Sequence, residues 1–115
     1  MIIVDAATVR VAGQYTEPVV DQDGGPLADL AYTNVYYKIG ANPAVRGAQT
    51  PATSPTGGGV IDTTLLVPVG QGQRVNVGFW VTATDVVGLE GPATDTIVLS
   101  VDRVAPGKPT GFTIA

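Results

Sequence analysis

Residues Tyr15 to Tyr37 read YTEPVVDQDGGPLADLAYTNVYY. Val9, Val11 and Tyr15 lead into this stretch at even spacing, and Val35, Tyr37 and Ile39 leave it in the same way, which predicts a strand on each side. Between the strands lie Pro18, the turn signal Asp23-Gly24-Gly25-Pro26, and Leu27 and Leu30, two residues suited to plugging the end of a core. The stretch speaks for a fold more than for an activity.

The flanking sequence extends the same pattern. Met1 to Val4 is short and apolar. Thr8 to Thr16 then reads as a strand with Val9, Val11 and Tyr15 on one face and Arg10, Ala12 and Gln14 on the other. Thr33 to Gly40 places Val35, Tyr37 and Ile39 inward and Tyr36 and Lys38 outward. Residues 41–59, ANPAVRGAQTPATSPTGGG, are small, proline-broken and glycine-rich, and predict a long mobile loop with at most a short edge strand around Val45 to Gln49. Val60 to Pro68 returns to strand. Arg74 to Thr84 is the longest alternating run, with Val75, Val77, Phe79, Val81 and Ala83 on one face and Asn76, Gly78, Trp80, Thr82 and Thr84 on the other. Asp85 to Pro92 is a loop, and Ala93 to Asp102 a last strand with Ile97, Leu99 and Val101 inward. About seven short strands at this spacing predict an all-β sandwich.

Composition agrees. A chain of 115 residues is long enough for one core and too short for two. Fifteen Gly, nine Pro and abundant Val and Thr suit short strands joined by turns. Without Cys there is neither a disulfide nor a thiolate metal site, and without His the commonest general base and metal ligand are missing. A net charge of −4 with scattered basic residues speaks against nucleic-acid or anionic-membrane partners. No apolar run of about 18 residues offers a membrane span, and MIIVDAATVRVAG has no basic start, so the chain is expected to be made in a cytoplasm without a signal peptide.

Two separated motifs resemble a known family. Tyr15-Thr16-Glu17-Pro18, Asp23-Gly24-Gly25-Pro26-Leu27-Ala28-Asp29-Leu30-Ala31 and Val35-Tyr36-Tyr37 are similar to the W-T-P-P, D-G-x-P-L-x-D-L and V-Y-Y elements of the fibronectin type III variety found in phage and bacterial surface proteins. Val81 to Gly91, VTATDVVGLEG, is similar to the V-x-A-x-D-x-x-G-x-E-S of that family. The resemblance spans roughly Thr8 to Asp102 and implies an Ig-like, fibronectin type III β-sandwich. Three positions depart from it: Tyr15 stands for the core Trp, Thr33 for a Tyr, and Val77 for the tyrosine-corner residue, which leaves that corner to packing.

The ends are unusual for such a module. Only Ile2 to Val4 is available as a first strand, whereas Pro106 to Ile114, PGKPTGFTI, resembles the family's first strand placed after the last one. The division expected is a sandwich over 1–103 and an extended arm or donated strand over 104–115. Phe112 and Ile114 alternate with polar residues, as in a half-buried strand. Three roles are open for the arm: lying free or on its own domain, pairing with a neighbouring copy or partner, or beginning a further domain.

Candidate sites are few. Asp21, Asp23 and Asp29 have part of the oxygen spacing of a calcium loop, but no acidic residue stands at the twelfth position, so they are weak metal candidates and a structural turn is favoured. Ser54 and Ser100 lack a His partner, Asp85 and Glu90 lack an evident cleft, and Gly57 to Gly59 lacks the Lys-Ser/Thr of a phosphate loop. No catalytic or cofactor site is therefore expected. Trp80 and Tyr36, flanked by Val98, point outward and form either an interface or a patch covered by the 41–59 loop. Phe112 and Ile114 complete the candidate interface. The function expected is that of a non-enzymatic virion component, a capsid decoration or cement protein or a tail or neck accessory subunit, contacting other virion proteins or copies of itself through the arm. The alternative is a glycan-binding or spacer module of a secreted bacterial protein, with Trp80 and Tyr36 stacking on sugar rings.

Overall fold

A computed structural model of the chain describes residues 1–114. Seven strands run in order: β1 (Ile2–Ile3), β2 (Val9–Thr16), β3 (Leu30–Ile39), β4 (Val45–Pro51), β5 (Val60–Val67), β6 (Arg74–Asp85) and β7 (Ile97–Asp102). They form two antiparallel sheets, one ordered β1-β2-β5 and the other β4-β3-β6-β7. The all-β sandwich expected from the alternation is the architecture observed.

Inward-facing residues of both sheets meet in one core. Val9, Val67, Val69, Val77 and Val101 expose no surface, and Val35, Tyr37 and Leu65 complete the cluster. β-branched Val fits a pleated surface covered on one side, and burying each such side chain is worth about 1.5–3 kcal/mol. Tyr15 on β2 reaches across the core, its hydroxyl 2.6 Å from Thr33 Oγ1 on β3. Tyr15 and Thr33, two of the positions that depart from the resembled motif, thus meet each other.

The loop between β2 and β3 is a structured turn. Asp21 N–H donates to Gly25 O, Gly24 N–H to Asp21 O, and Gly25 N–H to Asp23 Oδ1 at 2.9 Å. Leu27 and Leu30 are buried beneath it, as the plug reading requires.

Segment 41–59 differs from the mobile loop that its composition predicts. β4 occupies Val45–Pro51 and pairs with β3 across a bulge at Val35/Tyr36. Residues 52–59 are fastened by Glu17, which is 2% exposed. Its carboxylate accepts from Thr53 Oγ1 and from the N–H groups of Thr53 and Gly59, the latter two at 2.9 Å, while Glu17 N–H donates to Gly59 O. Leu30 N–H donates to Pro55 O from the next strand. The glycines permit the close approach: Gly57 lies at φ 71°, and a Cβ there would collide with the Pro18 carbonyl. Low hydrophobicity hid this segment because it is held by polar and backbone bonds rather than by buried apolar area.

The last strand also differs. β7 begins at Ile97 rather than Ala93, and Ile97, expected inward, is 71% exposed although it pairs with Phe79 on the inner register. Its exposure has a topological cause: β1 pairs with β2 only at Ile2–Arg10 and Ile3–Val9, so no strand closes that side of the sandwich.

Burial pushes the Glu17 carboxyl upward, but its hydrogen bonds from Thr53 and Gly59 outweigh this and hold it below the ordinary value of 4.5. A lowered folded-state value means that the unfolded chain binds the proton more readily, so this stability is present above 4.5 and is lost as pH falls through the folded value. Glu17→Gln, which presents an amide donor to N–H donors, should lower stability at neutral pH by about 1–3 kcal/mol. Denaturant unfolding across acid pH should show the variant's stability falling less steeply than the parent's.

Candidate functional site

The outward face of β4-β3-β6-β7 carries the most developed side-chain arrangement. Register brings Tyr36 of β3 opposite Trp80 of β6 and Asn34 opposite Thr82. The rings of Tyr36 and Trp80 stack with centroids 5.8 Å apart and planes 12° from parallel. Val98 pairs with Gly78, one alternation along from Trp80, and is exposed. Tyr36, Trp80 and Val98 therefore lie together as the alternation predicts. The 41–59 segment does not fold over them, because β4 lies in the plane of the sheet and the remainder is held at Glu17.

One residue that the alternation does not place on this face organises it. After β6 the chain turns at Asp85 to Leu89 and runs back beside the strand, with Thr94 N–H donating to Val81 O and Gly91 N–H to Ala83 O. Asp85 Oδ1 accepts from the N–H groups of Val87 and Leu89, so its carboxylate serves the turn and does not pair with Glu90. Glu90 is instead carried opposite Thr84 and over the sheet face. Its Oε2 accepts from Tyr36 Oη and Thr82 Oγ1, both at 2.6 Å, and from Asn34 Nδ2 at 3.3 Å. Beneath it Asn34, 1% exposed, also donates to Thr82 Oγ1 and Thr84 Oγ1, both at 3.1 Å, while its Oδ1 makes no hydrogen bond. The sequence signal for this network was the pair of threonines on the outer face of β6 followed by a glutamate one turn later.

The network sets the charges. Hydrogen bonds from Thr82 and Tyr36 hold the Glu90 carboxyl below 4.5, aided by the Arg46 charge and opposed by burial. The hydrogen bond to Glu90, with burial and the carboxylate's charge, raises the Tyr36 phenol above 10. The result at neutral pH is an aromatic pair whose tyrosine is neutral and anchored.

Beside the stack, Gly78 leaves a trough on the sheet surface lined by Lys38, Asn76, Trp80, Thr96 and Val98. Its chemistry is aromatic and polar, with one cation. The remaining candidates are dispersed. Asp23 bonds its own turn, and Asp21, Asp23 and Asp29 do not converge into a group of three acidic side chains among the described residues. Phe112 and Ile114 stand on the arm, 85% and 84% exposed, apart from the aromatic face. The chain matches no protein-family model, no curated protein and no solved structure.

Trp80 is the only tryptophan, so its emission reports on this face. Acid titration should move that emission with a midpoint below 4.5, as Glu90 gains a proton and loses its bond from Tyr36. Tyr36→Phe should raise the midpoint, since it removes one of the bonds that lower it. Tyr36→Ala should red-shift the emission and lower stability by about 0.5–1.5 kcal/mol beyond the area lost, the worth of a stacked pair.

Proposed function

We propose that the chain is a non-enzymatic, fibronectin type III-like binding module that builds assemblies as a structural component of a virion. A capsid decoration or cement protein is the first placement and a tail or neck accessory subunit the second. The observation that carries the binding reading is the Tyr36–Trp80 stack, an aromatic pair held on an open sheet face by Glu90. Such pairs bury much area at little entropic cost, since their rotamers are fixed before a partner arrives. The virion placement rests on the resemblance of the two sequence motifs to phage modules, and fold alone does not fix function. The partners proposed are virion proteins and further copies of the chain, without nucleic acid or membrane.

A second reading is favoured by the trough at Gly78. Lys38, Asn76 and Thr96 offer hydrogen bonds beside the Trp80 ring, an arrangement suited to a glycan. The other ring face of this pair is turned to Tyr36, so a sugar would stack on Trp80 from the trough side rather than on both aromatics.

Purified particles carrying the protein provide the test. The parent should co-sediment with intact particles, and Trp80→Ala, correctly folded by circular dichroism, should bind about 30-fold more weakly, the ~2 kcal/mol of an aromatic anchor. Undiminished binding of that variant removes the face from the interface. Binding to glycans in place of particles favours the second reading.

A further inference from the structure

The side of the sandwich between β2 and β7 is unfinished. β2 pairs with β5 along all its length, from Val9 to Thr16, but β1 covers its other edge only at Val9 and Arg10. From Val11 to Thr16 that edge is open, and alternate residues of a strand turn their N–H and C=O groups to each side. Immediately inside it lies an apolar cavity of about 230 Å³, walled by Val11 and Tyr15 from β2, Phe79 and Val81 from β6, and Ile97 and Leu99 from β7. These walls are only partly covered, Ile97 most exposed of all. Open backbone edge and apolar groove together describe the place of one more strand.

The chain carries a segment with the complementary features. Beyond Arg103 every described residue is exposed and none belongs to a strand. Phe112 and Ile114 are two residues apart, so in an extended chain they face the same way, and both are almost fully in water. Gly111, at φ 74°, bends the free arm between Thr110 and Phe112, and glycine passes to the extended region without a Cβ penalty.

We infer that the arm of one copy docks as an antiparallel strand on the Val11–Thr16 edge of a second copy, with Phe112 and Ile114 entering the groove. This site deepens the assembly reading above and rests on it. Geometry gives the antiparallel pairing to a second copy rather than to the arm's own domain. Arg103 is pinned at the end of the sandwich where β2 begins: its N–H donates to Gln73 O, its C=O accepts from Gly72 N–H, and its guanidinium donates to Val69 O and Asp5 O at 2.6 and 2.8 Å. An antiparallel partner of β2 must enter from the opposite end, beside Thr16. At roughly 3.3 Å per residue, reaching the far end of β2 takes about 26 Å, which uses the arm as far as Gly111 and leaves Phe112, Thr113 and Ile114 with no residue for the turn back. The arm from Val104 to Ile114 reaches only about 36 Å. A neighbouring copy has no such constraint. Because donor and acceptor are different surfaces, the contact is head-to-tail, closing into a ring where its rotation allows and otherwise propagating as an open chain.

Sedimentation of the full chain tests this with two variants, Phe112→Asp/Ile114→Asp in the arm and Ile97→Lys in the groove, an exposed position whose change spares the core. The parent should self-associate, as a closed ring or as a chain that lengthens with concentration. Each variant alone should be monomeric, as should a chain lacking residues 106–115, and an equal mixture of the two variants should form a dimer and stop there. A peptide of residues 104–115 added to the arm variant should slow amide exchange at alternate residues of Val11–Thr16 by about tenfold or more. A monomeric parent, exchange unchanged by the peptide, or self-association that survives Phe112→Asp/Ile114→Asp overturns the inference. If that surviving association is abolished by Trp80→Ala, the arm fails as donor while the binding-module reading stands; if Trp80→Ala also leaves it intact, both fail.

Discussion

A strand buried in a two-layer sandwich needs its apolar face covered and both of its backbone edges paired. β2 meets the first demand and half of the second: one edge is paired to β5 throughout, the other to β1 over two residues. The consequences run through the molecule. Ile97 is on the inner register yet in water, and Phe79, Val81 and Leu99 are only half-covered. The core is correspondingly displaced toward Val9, Val67, Val69, Val77 and Val101 at the closed end. An open edge of this kind promotes association unless it is blocked, and here no charge or proline lies within Val11–Thr16 to block it.

Two carboxylates fasten what the hydrophobic core does not. Glu17 holds residues 53–59 to the end of β2, and Glu90 holds the return segment after β6 to the outer sheet face. Each accepts several hydrogen bonds in its ionised form, and each therefore sits below the ordinary glutamate range. The device suits a small sandwich poor in large side chains, since a loop of Gly, Ser, Thr and Pro has little apolar area to bury but many N–H groups to satisfy. It also leaves the outward face preorganised, with Tyr36 tied to Glu90 and Trp80 stacked on it.

Much of this was legible in the sequence. Period-2 alternation located β2, β3, β5 and β6 and assigned Trp80, Tyr36 and Val98 to the outside, because side-chain direction in a strand follows from position alone. The turn at Asp23 to Pro26 and the leucine plug were equally local. In segment 41–59 the edge strand around Val45 to Gln49 is legible, whereas residues 52–59 read as a mobile loop because their order comes from a glutamate more than thirty residues upstream. Glu90 reads in the sequence as a partner for Asp85, five residues away, whereas its partners are Tyr36, Thr82 and Asn34 across the sheet.

The amino-acid sequence by itself determined the all-β class and the faces of the strands, since these depend on spacing and on turn chemistry. Only the tertiary structure decided which edge stays open, where the groove beside it lies, that Phe112 and Ile114 stand in water, and that Arg103 is pinned at the end of the sandwich where β2 begins. Those are relations between strands far apart in the chain, set by sheet order and register, and alternation within one strand carries no record of its neighbours.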